Sequence, residues 1–282
     1  MKQICSNLEE QYQEFDDMVS GLDVKLWQHR TPFFNWTIFD QVAHIAFFDH
    51  EALLAIQDPD RFRERAEGVM DVIVSGRNFR AYTNQLLNLK MSSVKLANSK
   101  MLDLKKPESL LLFWQNIRKR LIKRLNKMSP EDRLPWYGPD MSGPSFVTGR
   151  LMETWAHSQD VFDALRIRRI NCSRLIHVAH IGVKTFNWSF IVRKLKVPGI
   201  TPRVELTGPS GKVWKWGEPD AKERVWGSAE EFCLVVTQRR NVLDTGLKCQ
   251  GKNVAKWLTI AQAFAGVPQE HPAPGARKVD YK

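Results

Sequence analysis

Apolar residues Leu8, Tyr12, Phe15, Met18 and Val19 recur at helical spacing and stop near Gly21, which predicts a first helix over about residues 8–22. A polar stretch containing Pro32 follows. Thr37 with Asp40 three residues on then forms a capping-box pattern, Asp standing in for the usual Glu. A second helix is predicted from Thr37 through His44 and Phe48 to about Ile56, stopped by Asp58-Pro59. Apolar periodicity predicts a third helical region over roughly 69–97 and a fourth over 107–128, opened by Pro107 in its first turn. A fifth spans about 144–166 and a sixth about 172–195, while the Pro-, Gly- and Trp-bearing stretch 133–142 reads as a loop. This part of the chain is expected to be a helical bundle.

After Pro198 the texture changes. From Arg203 to Trp216 apolar and polar residues alternate around Gly208-Pro-Ser-Gly211, a β-hairpin signature. A helix capped by Ser228, a short strand at Lys248-Cys-Gln and a last helix over 254–265 complete a small α/β unit. The expected organisation is mainly α: an antiparallel bundle over 1–197, an α/β domain over 198–267 and a mobile tail over 268–282, rich in proline and glycine.

With 282 residues and 43% of them hydrophobic, ten Trp and fifteen Phe among these, the chain can bury a substantial core. No apolar stretch approaches the roughly 20 residues that span a bilayer, and residues 1–10 lack the apolar core of a secretory signal. A cytoplasmic protein with no membrane partner is expected. The net charge of +11 favours anionic partners. Much of it sits in Ile117-Arg-Lys-Arg-Leu-Ile-Lys-Arg-Leu125, where Ile117, Leu121 and Leu125 define an apolar stripe and the cations the other faces, a solvated amphipathic helix. No binding motif or interleaved exposed aromatics support nucleic acid as a partner. Cys5, Cys172, Cys233 and Cys249 form no metal or redox pair and read as reduced, mostly buried thiols.

Two segments carry candidate chemistry. Glu153 and His157 stand at i and i+4 on the fifth helix, so both can reach one cation, and His44 on the second helix supplies a third ligand. Two imidazoles and a carboxylate leave coordination positions open, which suits a catalytic metal better than a structural one. Buried without a partner, such groups are costly. Asp160, on the same face, reads as either a fourth ligand or an acceptor for an imidazole N–H. Asp40 reads as a cap, Glu51 has no further support, and Trp155 reads as core. His177 and His180, three apart, are a candidate second pair or pocket lining.

The runs Trp36-Thr37-x-x-Asp40-x-x-x-His44-Ile45 and Arg150-Leu-Met-Glu153-Thr-Trp-Ala-His157-Ser-Gln-Asp160 resemble the N-terminal domain of mycothiol-dependent maleylpyruvate isomerases, in the DinB-like metal-binding superfamily. The chain is also similar, over nearly its full length, to a subgroup labelled wyosine-base-formation proteins, through His177-Val-Ala-His180 and Val235-Val-Thr-Gln-Arg-Arg240. The resemblance implies a DinB-like antiparallel bundle followed by a sterol-carrier-like α/β domain. It places the family's metal ligands on His44, Glu153 and His157, and its functional arginine on Arg239, with Arg240 as the second choice.

The function expected is that of a metal-dependent isomerase or thiol transferase acting on a small, acidic substrate. Its ion would be divalent, zinc first and iron or nickel next, and the resemblance implies a low-molecular-weight thiol such as mycothiol. Two other readings stay open: a non-haem iron enzyme on the same ligands, and a non-catalytic, metal-stabilised module for an apolar ligand or nucleic acid. Oligomeric state is not legible.

Overall fold

A computed structural model describes residues 1–74 and 103–281; most of the third predicted helical region lies outside the described residues. The chain divides into two compact units, Met1–Ala164 and Leu165–Lys282.

The first unit is built on helices α1 (Lys2–Ser20), α2 (Ile38–Gln57), α3 (Pro59–Val74), α4 (Pro107–Leu125) and α5 (Gly143–Leu165). Thr37 caps α2 as the sequence predicts. Its side chain accepts from the Asp40 N–H, and the Asp40 carboxylate accepts from the Thr37 N–H at 2.7 Å, which satisfies two of the helix's orphan donors. Asp58 ends α2 and its carboxylate accepts from Arg61 N–H at 3.1 Å, so α3 begins at Pro59, ten residues earlier than the apolar period suggested. Helix α2 is buried on nearly every face, including polar Asp40, Gln41, His44, Asp49 and Glu51.

The core between α1 and α4 is aromatic. Tyr12 and Phe15 meet Trp114 edge-on, with centroids 5.9 and 5.4 Å away, and each fully buried ring of this kind stabilises by roughly 1.5–3 kcal/mol. The apolar stripe Ile117, Leu121 and Leu125 is buried as predicted, but one of the cations assigned to solvent is not. Arg118 is buried, paired with Asp16 and stacked 5.0 Å from the Trp114 ring.

Residues 133–142, expected as a loop, form a two-stranded antiparallel hairpin, β1 (Arg133–Trp136) and β2 (Gly138–Ser142). Pro135 and Pro139 obscure its alternation, and an irregularity between Leu134 and Trp136 breaks its register. Packing holds it, with Trp136 stacked at 5.6 Å on Phe62 and edge-on to Phe146 at 5.0 Å.

In the second unit the single helix expected over 172–195 is two, α6 (Leu175–Lys184) and α7 (Phe186–Ile191). Thr185 breaks it by turning its hydroxyl back to the carbonyls of Ile181 and Gly182. Strands β3 (Arg203–Thr207), β4 (Val213–Trp216), β5 (Arg224–Ser228) and β6 (Lys248–Gln250) form one sheet in the order β4-β3-β5-β6, with β3 and β5 parallel. Helices α8 (Ala229–Val236), capped by Ser228, and α9 (Lys252–Ile260) complete the unit. Helix α6 lies so close to α8 that a Cβ on Gly182 would come 2.7 Å from Val236 Cγ2, and this packing places α6 with the α/β unit rather than with the bundle.

The segment expected as a mobile tail lies along the second unit. Gly275 N–H donates to Asp244 at 2.9 Å, buried Arg277 donates to the Gln238 carbonyl at 2.8 Å, and Asn241 donates to the Pro272 carbonyl at 2.8 Å. Of the four cysteines, Cys5 and Cys233 are buried as expected, whereas Cys172 and Cys249 are exposed. Among the described residues no helix is long and apolar enough to cross a membrane.

Candidate metal centre

Helix α2 carries His44 and helix α5 carries Glu153 and His157, and the first unit brings one donor atom of each within 4.8 Å of the others. His157 Nε2 is 3.4 Å from Glu153 Oε2, and His44 Nε2 is 4.0 Å from the same oxygen. The two imidazole centroids are 4.3 Å apart. Ligand bonds of 2.0–2.2 Å in a tetrahedral set imply donor–donor edges of about 3.4 Å, so these three side chains fit one ion with small adjustments of rotamer. His157 and His44 are 3% and 9% exposed, and the Glu153 side chain is 24% exposed, so the carboxylate is the donor most open to solvent.

The protonation pattern favours a cation there. His157 Nδ1 lies 2.6 Å from Gln41 Oε1, so the tautomer with its proton on Nδ1 donates to that oxygen. In the neutral ring Nε2 is then a bare lone pair facing a carboxylate oxygen at 3.4 Å. Two acceptors facing at that distance repel unless a positive species, a metal ion or a second proton, lies between them.

Around the imidazoles stands a wall of aromatic rings. Trp36 stacks on His157 at 5.9 Å and meets His44 at 5.3 Å; Phe33 is edge-on to His157 at 5.4 Å, and Phe48 lies 4.7 Å from His44. Phe33 and Trp36 come from a tight turn whose Phe34 and Asn35 both have left-handed backbone, φ 48° and 57°. Thr31 N–H to the Trp36 carbonyl at 2.7 Å and Arg30 to the Asn35 carbonyl at 3.0 Å close it. Left-handed Phe is uncommon and strained, and here the turn sets two rings against the site.

Behind the ligands a buried charge pair joins the two helices. Asp49 on α2 accepts from Tyr12 Oη at 2.6 Å, Trp114 Nε1 at 2.9 Å and Arg150 Nε at 2.9 Å, with Arg150 on α5 one turn before Glu153. Burial opposes the charge on Arg150, but Asp49, Tyr12 and Glu153 outweigh it and raise its pKa above the usual arginine value. Burial, then the Asp49 charge, pushes the Tyr12 phenol well above its ordinary value.

The other sequence candidates fall elsewhere. Asp160 Oδ2 is 3.7 Å from His157 Nδ1, on the ring edge turned from Glu153, and lies outside the group of three donors. Asp40 is the α2 cap. Glu51, fully buried, pairs with Arg65 at 2.7 Å and belongs to a different cluster with His50 and Tyr137. Trp155 is core at 2% exposed. His177, His180, Arg239 and Arg240 lie in the second unit. His180 Nδ1 accepts from Trp216 Nε1 at 3.1 Å, Arg239 is buried and donates to the Thr237 carbonyl at 2.7 Å, and Arg240 donates to Tyr281 Oη at 3.0 Å. Sequence reasoning gave no role to Gln41, Thr31, Asp49 or Arg150. Gln41 had a visible signal, standing one helical turn before His44.

The family model for the mycothiol maleylpyruvate isomerase N-terminal domain matches residues 8–162, over half of the chain and all three donors. The chain belongs to this family. Two relatives, the uncharacterised proteins MT0041 and Rv0036c of Mycobacterium tuberculosis, are each 39% identical over 93% of this chain and 95% of their own. The crystal structure of the mycothiol-dependent maleylpyruvate isomerase shares the fold, with a TM-score of 0.53 at 12% identity over 88% of this chain and 92% of that one. A histidine-to-alanine mutant of that isomerase gives 0.51 at 12% identity over 83% and 87%. The bundle is therefore the DinB-like one that the motifs of this family imply.

Three histidines of the second unit make a separate prediction about pH. Burial first lowers the pKa of His177, His180 and His271, with neighbouring His180 and Lys184 adding to the effect at the first two. Each binds its proton less readily folded than unfolded, so stability is present above the unfolded value of 6.5 and declines as pH falls below it, until the folded values are passed. Urea unfolding followed by Trp fluorescence is expected to show a lower midpoint at pH 5.5 than at pH 7.5. Replacing all three histidines with Gln should flatten that difference; an unchanged difference would reject the assignment.

Proposed function

We propose that His44, Glu153 and His157 hold one divalent cation, zinc in the first instance, and that the protein is a thiol-dependent isomerase or transferase acting on a small electrophilic acid. The observation that carries the reading is the Nε2–carboxylate approach at 3.4 Å with Nδ1 already committed to Gln41. Membership of the isomerase family supports the choice of thiol chemistry, with mycothiol as the thiol. A bound divalent ion would supply Lewis acidity that keeps a coordinated thiol deprotonated at neutral pH.

The residues of this chain supply the rest. His44 and His157 present neutral nitrogens, and Glu153 offsets part of the ion's charge. Three protein donors leave positions open for a thiol or a substrate oxygen. Phe33, Trp36 and Phe48 exclude water from the imidazole side, which strengthens electrostatic interactions within the site. The Asp49–Arg150 pair holds α2 and α5, and so the three donors, in register. Addition of a thiolate to a conjugated acid breaks the C=C π bond and leaves an enolate; rotation and expulsion of the thiolate give an isomerase, while protonation of the enolate carbon from solvent keeps the thioether and gives a transferase.

The test is anaerobic turnover of maleylpyruvate with mycothiol by protein loaded with zinc and by protein stripped with chelator. Zinc- and thiol-dependent turnover is expected. Thiol-independent turnover, or none with any electrophilic acid tried, removes the thiol reading; activity requiring iron and oxygen would move the site to the oxygenase class.

A further inference from the structure

We propose that Gln41 positions the ligating nitrogen of His157 by fixing which ring nitrogen carries the proton. The inference rests on the metal reading of His44, Glu153 and His157. An imidazole offers a lone pair to a metal only from its unprotonated nitrogen, and the hydrogen bond at the other nitrogen decides which one that is. Gln41 Oε1, 2.6 Å from Nδ1, demands a proton there and leaves Nε2 bare toward Glu153. The opposite amide orientation would present an N–H to Nδ1, move the ring proton to Nε2, and let it bond Glu153 Oε2. That state closes the site.

One neighbour anchors the amide and a second favours the open state. Thr31 Oγ1 accepts from Gln41 Nε2 at 2.8 Å, anchoring the far end of the amide. Asp160 Oδ2, 3.7 Å from Nδ1, adds negative potential where the Nδ1 proton points. Gln41, Thr31 and Asp160 are 0%, 2% and 2% exposed, so bulk water does not compete for these contacts. Gln41 also stands three residues before His44 on α2. One helix thus contributes a ligand of its own and prepares the ligand of the other, which ties metal affinity to the docking of α2 on α5.

The experiment compares wild type, Gln41→Met and Gln41→Glu. Methionine keeps the length and cannot accept from Nδ1 with comparable strength, whereas a carboxylate accepts as the amide oxygen does. Long-range ¹H–¹⁵N spectra of metal-free protein, taken at a pH high enough for the ring to be neutral and with the His157 signals assigned by their loss in His157→Ala, read the proton position directly. Cobalt(II) titration reads affinity. Wild type and Gln41→Glu should show the proton on Nδ1 and cobalt affinities within about threefold of each other. Gln41→Met should move it to Nε2 and weaken cobalt binding by about ten- to a hundredfold, the range for outer partners of metal ligands.

A proton that stays on Nδ1 in Gln41→Met overturns the proposal, as does equal loss of affinity in both variants with the proton unmoved. Should Gln41→Met fail to fold, Thr31→Val replaces it, with a partial shift toward Nε2 expected and no shift counting against the proposal. Failure of wild type to bind cobalt or zinc would remove the metal reading, and the proton position in metal-free protein would still decide whether Gln41 controls the ring.

Discussion

His44→Ala and His157→Ala are each expected to abolish stoichiometric zinc, measured by elemental analysis after dialysis against the metal. The site has three protein donors, so losing one leaves two, and affinity should fall by more than the roughly 10–100-fold typical of losing an outer partner. The same loss is readable without catalysis. A ligand at about 1,000 times its Kd raises stability by about 4 kcal/mol if it binds only the folded chain; added zinc should therefore raise the Tm of wild type and leave both variants unmoved. Glu153→Gln separates binding from folding. It removes the carboxylate that faces His157 Nε2 at 3.4 Å, so it should lose zinc while lowering the stability of the metal-free protein far less than loss of Asp49 does, since Glu153 is only a secondary partner of Arg150. Full zinc occupancy in both histidine variants would sink the site, and retention in one alone would redraw the ligand set.

These donors were legible because helical spacing is local. Glu153 and His157 share a face by arithmetic, and Thr37 with Asp40 marked where the helix carrying His44 begins. Their setting was not legible, because it depends on contacts distant in sequence: Gln41 reaches His157, and Asp49 reaches Arg150, across two helices. The hairpin at 133–142 was hidden by its prolines, and it is held by stacking on Phe62, which no local pattern records. The break at Thr185 interrupts a sequence whose apolar period runs on, since a hydroxyl turned back to two carbonyls leaves no mark in hydropathy. The C-terminal segment read as mobile from its prolines and glycine. Its anchors are carbonyls and carboxylates of another part of the chain, as when Asp244 receives the Gly275 N–H.

Asp49→Ala is expected to be the most destabilising single substitution in the first unit. Asp49 is fully buried and accepts three hydrogen bonds, from Tyr12, Trp114 and Arg150, the last itself only 3% exposed. Removing one partner of a buried ion pair costs about 3–5 kcal/mol, because the other charge stays desolvated and unpaired, and the two orphaned neutral donors add to it. Arg150→Met should cost a comparable amount. The double variant Asp49→Leu with Arg150→Met should recover much of the loss, since it leaves no unpaired charge, and the coupling in a cycle closed by the Asp49→Leu and Arg150→Met single variants should reach several kcal/mol in urea unfolding. A cost below about 1 kcal/mol for Asp49→Ala would show that water or another group replaces the pair. The double variant also asks what the pair does for the site. Asp49 follows His44 on α2 and Arg150 precedes Glu153 on α5, so the ion pair fixes the register between the helix carrying one ligand and the helix carrying two. If that is its role, the double variant will regain stability and still bind zinc more weakly than wild type, because apolar packing restores the fold without restoring the register of the ligands.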